Sequence, residues 1–101
     1  MKVEMTGETL QVSGLKELGE NNATIFRQQV LSAFKKHQKQ IEVDLSEMTF
    51  VDSRGLAALL ELQQSFENQP GAIRLRNPSP PVQQILEFTR MNNVFEIVNE
   101  S

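Results

Sequence analysis

The sequence predicts an α/β fold in which a small mixed sheet carries helices mainly on one face. Segments with apolar residues at every second position indicate strands, and they alternate along the chain with segments of three- and four-residue apolar spacing, which indicate helices. Strands separated by helices pair in parallel through right-handed crossovers. Two of these strands, residues 41–45 and 73–75, carry polar, mostly charged residues between their apolar ones, so one sheet face is expected to stay partly solvated.

The first two strands are predicted to form a hairpin. Leu10 and Val12 alternate with polar residues, and Gly7 just before them marks a turn from residues 1–5. A helix is then expected over residues 22–37, with Asn21 or Asn22 as its N-cap. Its apolar positions follow helical spacing: Ala23, Phe26, Val30, Ala33 and Phe34.

The second half of the chain repeats the strand and helix alternation. After strand 41–45, residues 50–51 lead as a strand into Asp52, and a second helix follows until the turn at residues 68–71. The next strand precedes Asn77-Pro78-Ser79-Pro80-Pro81, which supplies a cap and first-turn prolines for a third helix. Residues 95–98 form a last short strand, and the final three residues are expected to fray.

The open face of the sheet is predicted to carry cross-strand ion pairs. Its charged positions are Glu42, Asp44, Arg74 and Arg76. Each such pair stabilises a sheet by roughly 0.2 to 1 kcal/mol.

Composition excludes several functional classes. The 101 residues suit a single domain over residues 1–101, and a net charge of −3 without a basic run argues against nucleic acid. The absence of cysteine removes disulfides and thiolate chemistry and suits the cytoplasm. The most apolar stretch, residues 55–62, is interrupted by Glu61 and is too short to insert into a membrane, and residues 1–4 do not lead into a signal segment.

Ser53 is the residue of greatest interest, because it lies where a strand passes into a helix. One interpretation is structural: a serine hydroxyl at this position caps the helix. The other is functional, since free N–H groups at a helix start favour anions, and a phosphate on Ser53 would add about −1.5 to −2 charges beside Asp52. Arg54 would pair with that phosphate, contact a partner or remain a solvated surface charge.

The sequence offers little support for an enzyme. A strand-to-helix serine also describes a hydrolase nucleophile, but the segment is not G-x-S-x-G and the only histidine, His37, lies in the first helix. Asp44 and Asp52 could in principle act together as a pair of catalytic carboxylates. Aspartate commonly caps turns, however, and both residues lie next to turns at strand ends, so we interpret them as caps. We expect no catalytic residue, no metal site and no cofactor, and the six phenylalanines are interpreted mainly as core packing.

The residues around Ser53 resemble a known signature. Asp44-Leu45-Ser46, followed by Phe50-Val51-Asp52-Ser53-Arg54-Gly55-Leu56, is similar to the D-L-S…F-x-D-S-x-G-L pattern of STAS domains. The order of strands and helices extends the resemblance over about the whole chain from Leu10. It implies the STAS fold for the single domain.

The resemblance also implies a function, that of an anti-sigma factor antagonist. The unphosphorylated protein would bind a serine-kinase anti-sigma factor and release the sigma factor. The kinase would phosphorylate Ser53 and break the complex, and a serine/threonine phosphatase would reset it. By the same resemblance the partner-binding residues are Asp52, Ser53, Arg54 and Gly55, with Gly55 permitting close backbone approach, and the protein is expected to act as a monomer.

Two features depart from the family pattern. The family commonly carries Gly-x-Leu-Asp before the first helix, whereas residues 14–20 are longer here and lack that aspartate. Ala57 stands where many relatives have glycine. The alternative function is a STAS structural subunit or scaffold, in a lipid-transport ABC complex or a stress-sensing assembly, without a sigma circuit.

Overall fold

The protein is described here by a computed structural model covering residues 1–35, 38–66 and 72–99. Within these ranges the chain forms seven strands, three α-helices and one 3-10 helix at Met91–Asn93. The strands are β1 (Lys2–Thr6), β2 (Thr9–Ser13), β3 (Glu17–Leu18), β4 (Gln40–Asp44), β5 (Phe50–Val51), β6 (Ile73–Arg76) and β7 (Glu96–Val98). The α-helices are α1 (Ala23–Ala33), α2 (Ser53–Ser65) and α3 (Pro80–Phe88).

The main sheet has five strands in the order β1-β2-β4-β6-β7. The predicted hairpin is confirmed: β1 and β2 are antiparallel, and Gly7 turns the chain with a φ of 61°. The other neighbours, β2 with β4, β4 with β6 and β6 with β7, are all parallel. The sheet is therefore mixed, as the sequence predicts.

The three helices lie on one face of this sheet, because each connects parallel strands in the same direction across it and right-handed crossovers then place all of them on the same side. Alternate strand residues point into the core between helices and sheet. The core is apolar and continuous, and its most completely buried large side chains include Leu10, Phe26, Ile41, Leu45, Leu59, Leu62, Leu75 and Leu86. The predicted fold class is confirmed.

The opposite face carries the predicted ion pairs. Glu42 on β4 pairs with Arg74 at 3.6 Å and Arg76 at 3.3 Å, both on β6, and Arg74 also reaches Glu96 on β7 at 3.1 Å. Asp44 instead turns its Oδ1 to the backbone N–H of Ser46 at 2.8 Å, so it closes the turn after β4. The charged residues between the apolar ones thus join three neighbouring strands.

A second, two-stranded sheet was not predicted. Strand β3 pairs in parallel with β5, with Glu17 opposite Phe50 and Leu18 opposite Val51. Each strand has only two residues, too few to show an alternating pattern in the sequence. This small sheet nevertheless fixes the segment before α1 next to the segment before α2.

Helix α1 is shorter than the sequence predicts. It begins after Asn22, as expected, but ends at Ala33, because Phe34 turns to an extended conformation (φ −75°, ψ 122°). The Phe34 ring packs against that of Phe66 with centroids 4.7 Å apart, so tertiary packing ends the helix. His37, the predicted turn at residues 68–71 and the last two predicted fraying residues lie outside the described residues.

Among the helices of the described ranges, each is too short or too polar to cross a bilayer.

Candidate functional site

The side chain that organises the start of α2 is that of Asp52. It is the N-cap residue, and its Oδ1 accepts hydrogen bonds from the backbone N–H groups of Arg54 at 2.9 Å and Gly55 at 3.0 Å. Its Oδ2 accepts a third bond, from the N–H of Glu20 at 3.0 Å. One carboxylate therefore caps α2 and also holds the segment that leads into α1.

These bonds favour the ionised form of the carboxyl group. The N–H groups of Gly55, Glu20 and Arg54, in that order and partly opposed by desolvation, lower the pKa of Asp52 below its ordinary value. A permanent negative charge thus lies at the start of α2 at neutral pH. The side chain of Ser53, the next residue, therefore lies beside a negative charge.

Ser53 is the first residue of α2 and is exposed to solvent. The structural interpretation that its hydroxyl caps the helix is wrong, because Asp52 does so. The backbone N–H groups of Arg54 and Gly55, which a phosphate at this position would need as donors, already donate to Asp52. A phosphate on Ser53 would consequently project beside a carboxylate and add its charge to the surface.

Gly55 is required by the packing of the helix start rather than by an unusual backbone angle. A Cβ at this position would lie 2.0 Å from the backbone oxygen of Leu18 in β3 and 2.9 Å from Cγ2 of Val51. Gly19 is similarly constrained, since its Cβ would lie 2.5 Å from Oδ2 of Asp52. The predicted close approach at Gly55 is confirmed, and the group approached is the small second sheet.

Arg54 lies on the exposed first turn of α2, at a groove between α1 and α2 of about 320 Å³. The groove is bridged by an ion pair of Arg27 and Glu61 at 2.9 Å. Its other side chains include those of Glu20, Thr24 and Ala57. Ser53 and Arg54 thus adjoin a polar surface formed by both helices.

The segment of residues 14–20 reaches the same site, although it departs from the family pattern. Gly19 packs against the Asp52 carboxyl group, and the N–H of Glu20 donates to it. A smaller groove of about 170 Å³ joins this segment to Asp52 and Phe50. Residues 14–20 and the predicted partner-binding residues at the start of α2 are therefore adjacent in the fold.

Phe50 is a surface residue that sequence reasoning missed. It is 52% exposed beside the small groove, and Phe88 at the end of α3 is 91% exposed, so the interpretation of the phenylalanines as core is wrong for these two. Buried Val51 follows Phe50, and alternation along a strand puts neighbours on opposite sides. Because both residues of this short strand are apolar, the sequence gives no signal that could have identified Phe50 as the exposed one.

The residues considered for other chemistry are not assembled into a site in the described part of the chain. Asp44 and Asp52 each bind nearby backbone N–H groups, at the end of β4 and the start of α2 respectively. The described residues contain no group of three carboxylate or imidazole side chains placed to hold a metal ion. His37 lies outside them.

Comparison with known families decides the identity of this fold. The profile of a family described as "Mlab, STAS domain" matches residues 1–99. The chain is a STAS domain. No curated protein sequence matches it.

Solved structures share the fold. A candidate anti-sigma factor antagonist from Thermotoga maritima superposes on this STAS domain with a TM-score of 0.88 at 23% identity, covering 98% of this chain and 86% of the other. The anti-sigma factor antagonist SpoIIAA in its unphosphorylated form gives 0.82 at 24%, covering 99% and 87%. SpoIIAA of Bacillus in its phosphorylated form gives 0.75 at 24%, covering 99% and 90%.

A membrane protein carries the same fold. The murine Slc26a9 anion transporter gives a TM-score of 0.77 at 21% identity, and the match covers 97% of this chain but only 17% of the transporter. At these identities the likeness shows the fold alone. The same fold thus occurs both in proteins described as anti-sigma factor antagonists and within a transporter.

Proposed function

We propose that this STAS domain is an anti-sigma factor antagonist whose binding is switched by phosphorylation of Ser53. The observation that carries the proposal is an exposed serine hydroxyl directly after an ionised carboxylate at a helix start. The likeness to SpoIIAA, which has been solved in both an unphosphorylated and a phosphorylated form, supports it.

The physical basis of the switch is charge rather than a change of fold. The unphosphorylated protein presents Ser53, Arg54 and the neighbouring groove to a serine-kinase anti-sigma factor in the cytoplasm. Phosphorylation adds about −1.5 to −2 charges beside the Asp52 carboxylate. A partner surface matched to the neutral hydroxyl then meets repulsion and a desolvation penalty, and the complex separates.

The binding surface comprises the Ser53 turn, the exposed side of α2 from Arg54 onward and residues 14–20. The domain itself performs no catalysis, and the kinase and a serine/threonine phosphatase supply the chemistry. Asp52 contributes indirectly, because its three hydrogen bonds hold two parts of this surface together.

The test compares Ser53→Ala with Ser53→Asp. Each variant is used to capture partners from native lysate, and mass spectrometry identifies the captured kinase and the phosphorylation state of Ser53. We expect Ser53→Ala to bind constitutively and Ser53→Asp to bind at least about tenfold more weakly. Ser46→Asp is the matched control, because Ser46 is also exposed but lies in the turn after β4.

Equal capture of the kinase by Ser53→Ala and Ser53→Asp would disprove the switch. An alanine scan that placed the binding loss on Arg74 and Arg76 would move the surface to the open face of the sheet. Retained binding by Ser46→Asp shows that position, and not net charge, matters.

A second candidate function is favoured by the occurrence of this fold in Slc26a9. Here the domain is a structural subunit or scaffold, in a lipid-transport ABC complex or a stress-sensing assembly, and no sigma factor is involved. Capture of a membrane transporter whose binding does not depend on Ser53 would select this function.

A further inference from the structure

Among the residues that the structure describes, no strand pairs with the outer edge of β1 in the main sheet. Strand β1 is the first strand in the order β1-β2-β4-β6-β7, and all five of its residues are exposed. Backbone N–H and C=O groups along such an edge can pair with another strand. The side chains of β1 determine which strand fits.

The two faces of β1 differ in chemistry. Lys2 and Glu4 lie on the open face of the sheet, where Lys2 Nζ and Glu4 Oε1 are 2.7 Å apart. Val3 and Met5 lie opposite Val12 and Leu10, hence on the face that carries the helices, yet they are 36% and 56% exposed. Along this edge, charged and apolar side chains therefore alternate, and both kinds are exposed to solvent.

We propose that two copies of this chain associate by antiparallel pairing of their β1 strands about a twofold axis at Val3. In this register Lys2 lies opposite Glu4 of the second copy, and Glu4 lies opposite Lys2 of the second copy. On the other face Val3 meets Val3 of the second copy, and Met1 meets Met5 of the second copy. Charges and apolar side chains are therefore both self-complementary, as a twofold interface requires.

The backbone of β1 permits this register. The two-residue turn of Gly7 and Glu8 closes on the pair Thr6 and Thr9, which is hydrogen-bonded in such hairpins. Hydrogen-bonded and non-hydrogen-bonded pairs alternate, so the N–H and C=O groups of Val3 and Met5 point away from β2. With the axis at Val3, those outward groups of the two copies face each other.

Charge favours this register over the others that the backbone allows. An axis at Lys2 places the two Lys2 side chains opposite each other, and an axis at Met5 leaves Glu4 opposite Thr6 of the second copy and Lys2 without a partner strand residue. An axis at Glu4 places the two Glu4 carboxylates directly opposite each other and leaves Lys2 opposite Thr6 of the second copy. It also loses the pairing of Met1. Lysine on an edge strand commonly discourages pairing, but here Lys2 meets an opposite charge and selects the register.

A neighbouring groove supports the apolar side of the interface. Met1 is 46% exposed and, with Ile25 of α1 and Phe26, lines a groove of about 500 Å³. Met5 of the second copy lies opposite Met1 and so adjoins this groove. One short strand per copy forms a small interface, and the association is accordingly weak and concentration-dependent.

The test is a charge-swap series followed by sedimentation velocity of the untagged chain up to sub-millimolar concentration. The wild type is expected to exceed its monomer mass of 11.5 kDa as concentration rises. Lys2→Glu and Glu4→Lys each create two like-charge contacts and are expected to weaken association at least about tenfold. An equimolar mixture of the two single variants, and separately the double variant Lys2→Glu/Glu4→Lys, should recover it.

The outcomes separate the registers. If the axis lay at Glu4, Lys2→Glu alone would leave association unchanged, and that result overturns the proposal. A wild type that remains at monomer mass overturns it as well. All the substituted side chains are exposed, and circular dichroism confirms that the variants fold.

Cross-linking provides a second readout, because the sequence contains no cysteine. Val3→Cys brings the two thiols opposite each other at a Cα separation of about 5.5 Å, within the range of a disulfide. Met5→Cys is the control, since its two thiols would lie roughly 13 Å apart along the strands. Equal cross-linking of the two variants contradicts the register. The proposal is independent of Ser53, and it replaces the expectation from family resemblance that the protein acts as a monomer.

Discussion

The starts of α2 and α3 are made in different ways, although both helices follow a residue that commonly caps helices. Asp52 turns its carboxylate to its own helix and accepts from Arg54 and Gly55. Ser79 turns its hydroxyl away and donates to the backbone oxygen of Met48, while the prolines at the first two positions of α3 lack N–H groups that would need a partner. The start of α2 therefore depends on a charge and on close packing, and the start of α3 on neither.

The largest effect is expected where packing leaves no space. In Gly55→Ala the new methyl group would lie 2.0 Å from the Leu18 oxygen, so α2 or β3 must shift. We expect a loss of about 1 to 3 kcal/mol in the free energy of unfolding, although alanine itself favours a helix. Urea unfolding measures the change.

Ala57→Gly is the matched control for Gly55→Ala, because Ala57 is exposed two residues further along the same helix. Its expected loss is about 0.5 to 1 kcal/mol, from helix propensity alone. If Gly55→Ala were as stable as the wild type, the contact with Leu18 would not constrain the helix start.

An intermediate effect is expected from Asp52→Asn. The amide oxygen can still accept from Arg54 and Gly55, but the amide nitrogen would face the N–H of Glu20 and lose that bond. Because the folded-state pKa of Asp52 is lowered, the charged carboxylate stabilises the fold above its unfolded pKa of about 3.9, and this stabilisation is lost as the pH falls through the folded value. The stability difference between wild type and variant should therefore be constant near neutral pH and shrink in acid.

Denaturation midpoints measured from neutral to acidic pH check this dependence. The start of α3 provides the comparison. Because the Ser79 hydroxyl does not titrate, the stability difference between wild type and Ser79→Ala should stay constant over the same pH range. A pH-independent difference for Asp52→Asn would show that the charge of Asp52 does not stabilise the helix start.

Among the three residues that form the helix starts, the smallest effect is expected from Ser79→Ala. It removes one hydrogen bond, to the Met48 oxygen, and leaves the prolines of α3 in place. A loss of about 0.5 to 1.5 kcal/mol in thermal or urea unfolding is expected. A loss larger than that of Gly55→Ala would reverse the ranking of the two helix starts.

The sequence predicted those features that repeat along the chain. Alternation located β2, β4 and β6, and the charged positions of β4 and β6 predicted the pairing of Glu42 with Arg74 and Arg76, which is confirmed. Single contacts between distant segments leave no such pattern. The pairing of β3 with β5 and the bond from Glu20 to Asp52 are examples, and they form the candidate site.

The same distinction explains the error at the start of α2. Asp52 and Ser53 are both common N-cap residues, and local sequence does not separate them. The structure selects Asp52 because the N–H of Glu20 is close enough to bind its second oxygen, a contact across 32 positions of the chain. Ser53 is left exposed, and its role as the modified residue stays a prediction.

The contact of Gly55 with Leu18 has a practical consequence. The first turn of α2 lies directly against the backbone of β3, so the position of Ser53 at the surface is tied to that of the small second sheet, and a change in the packing of β3 would move Ser53 as well.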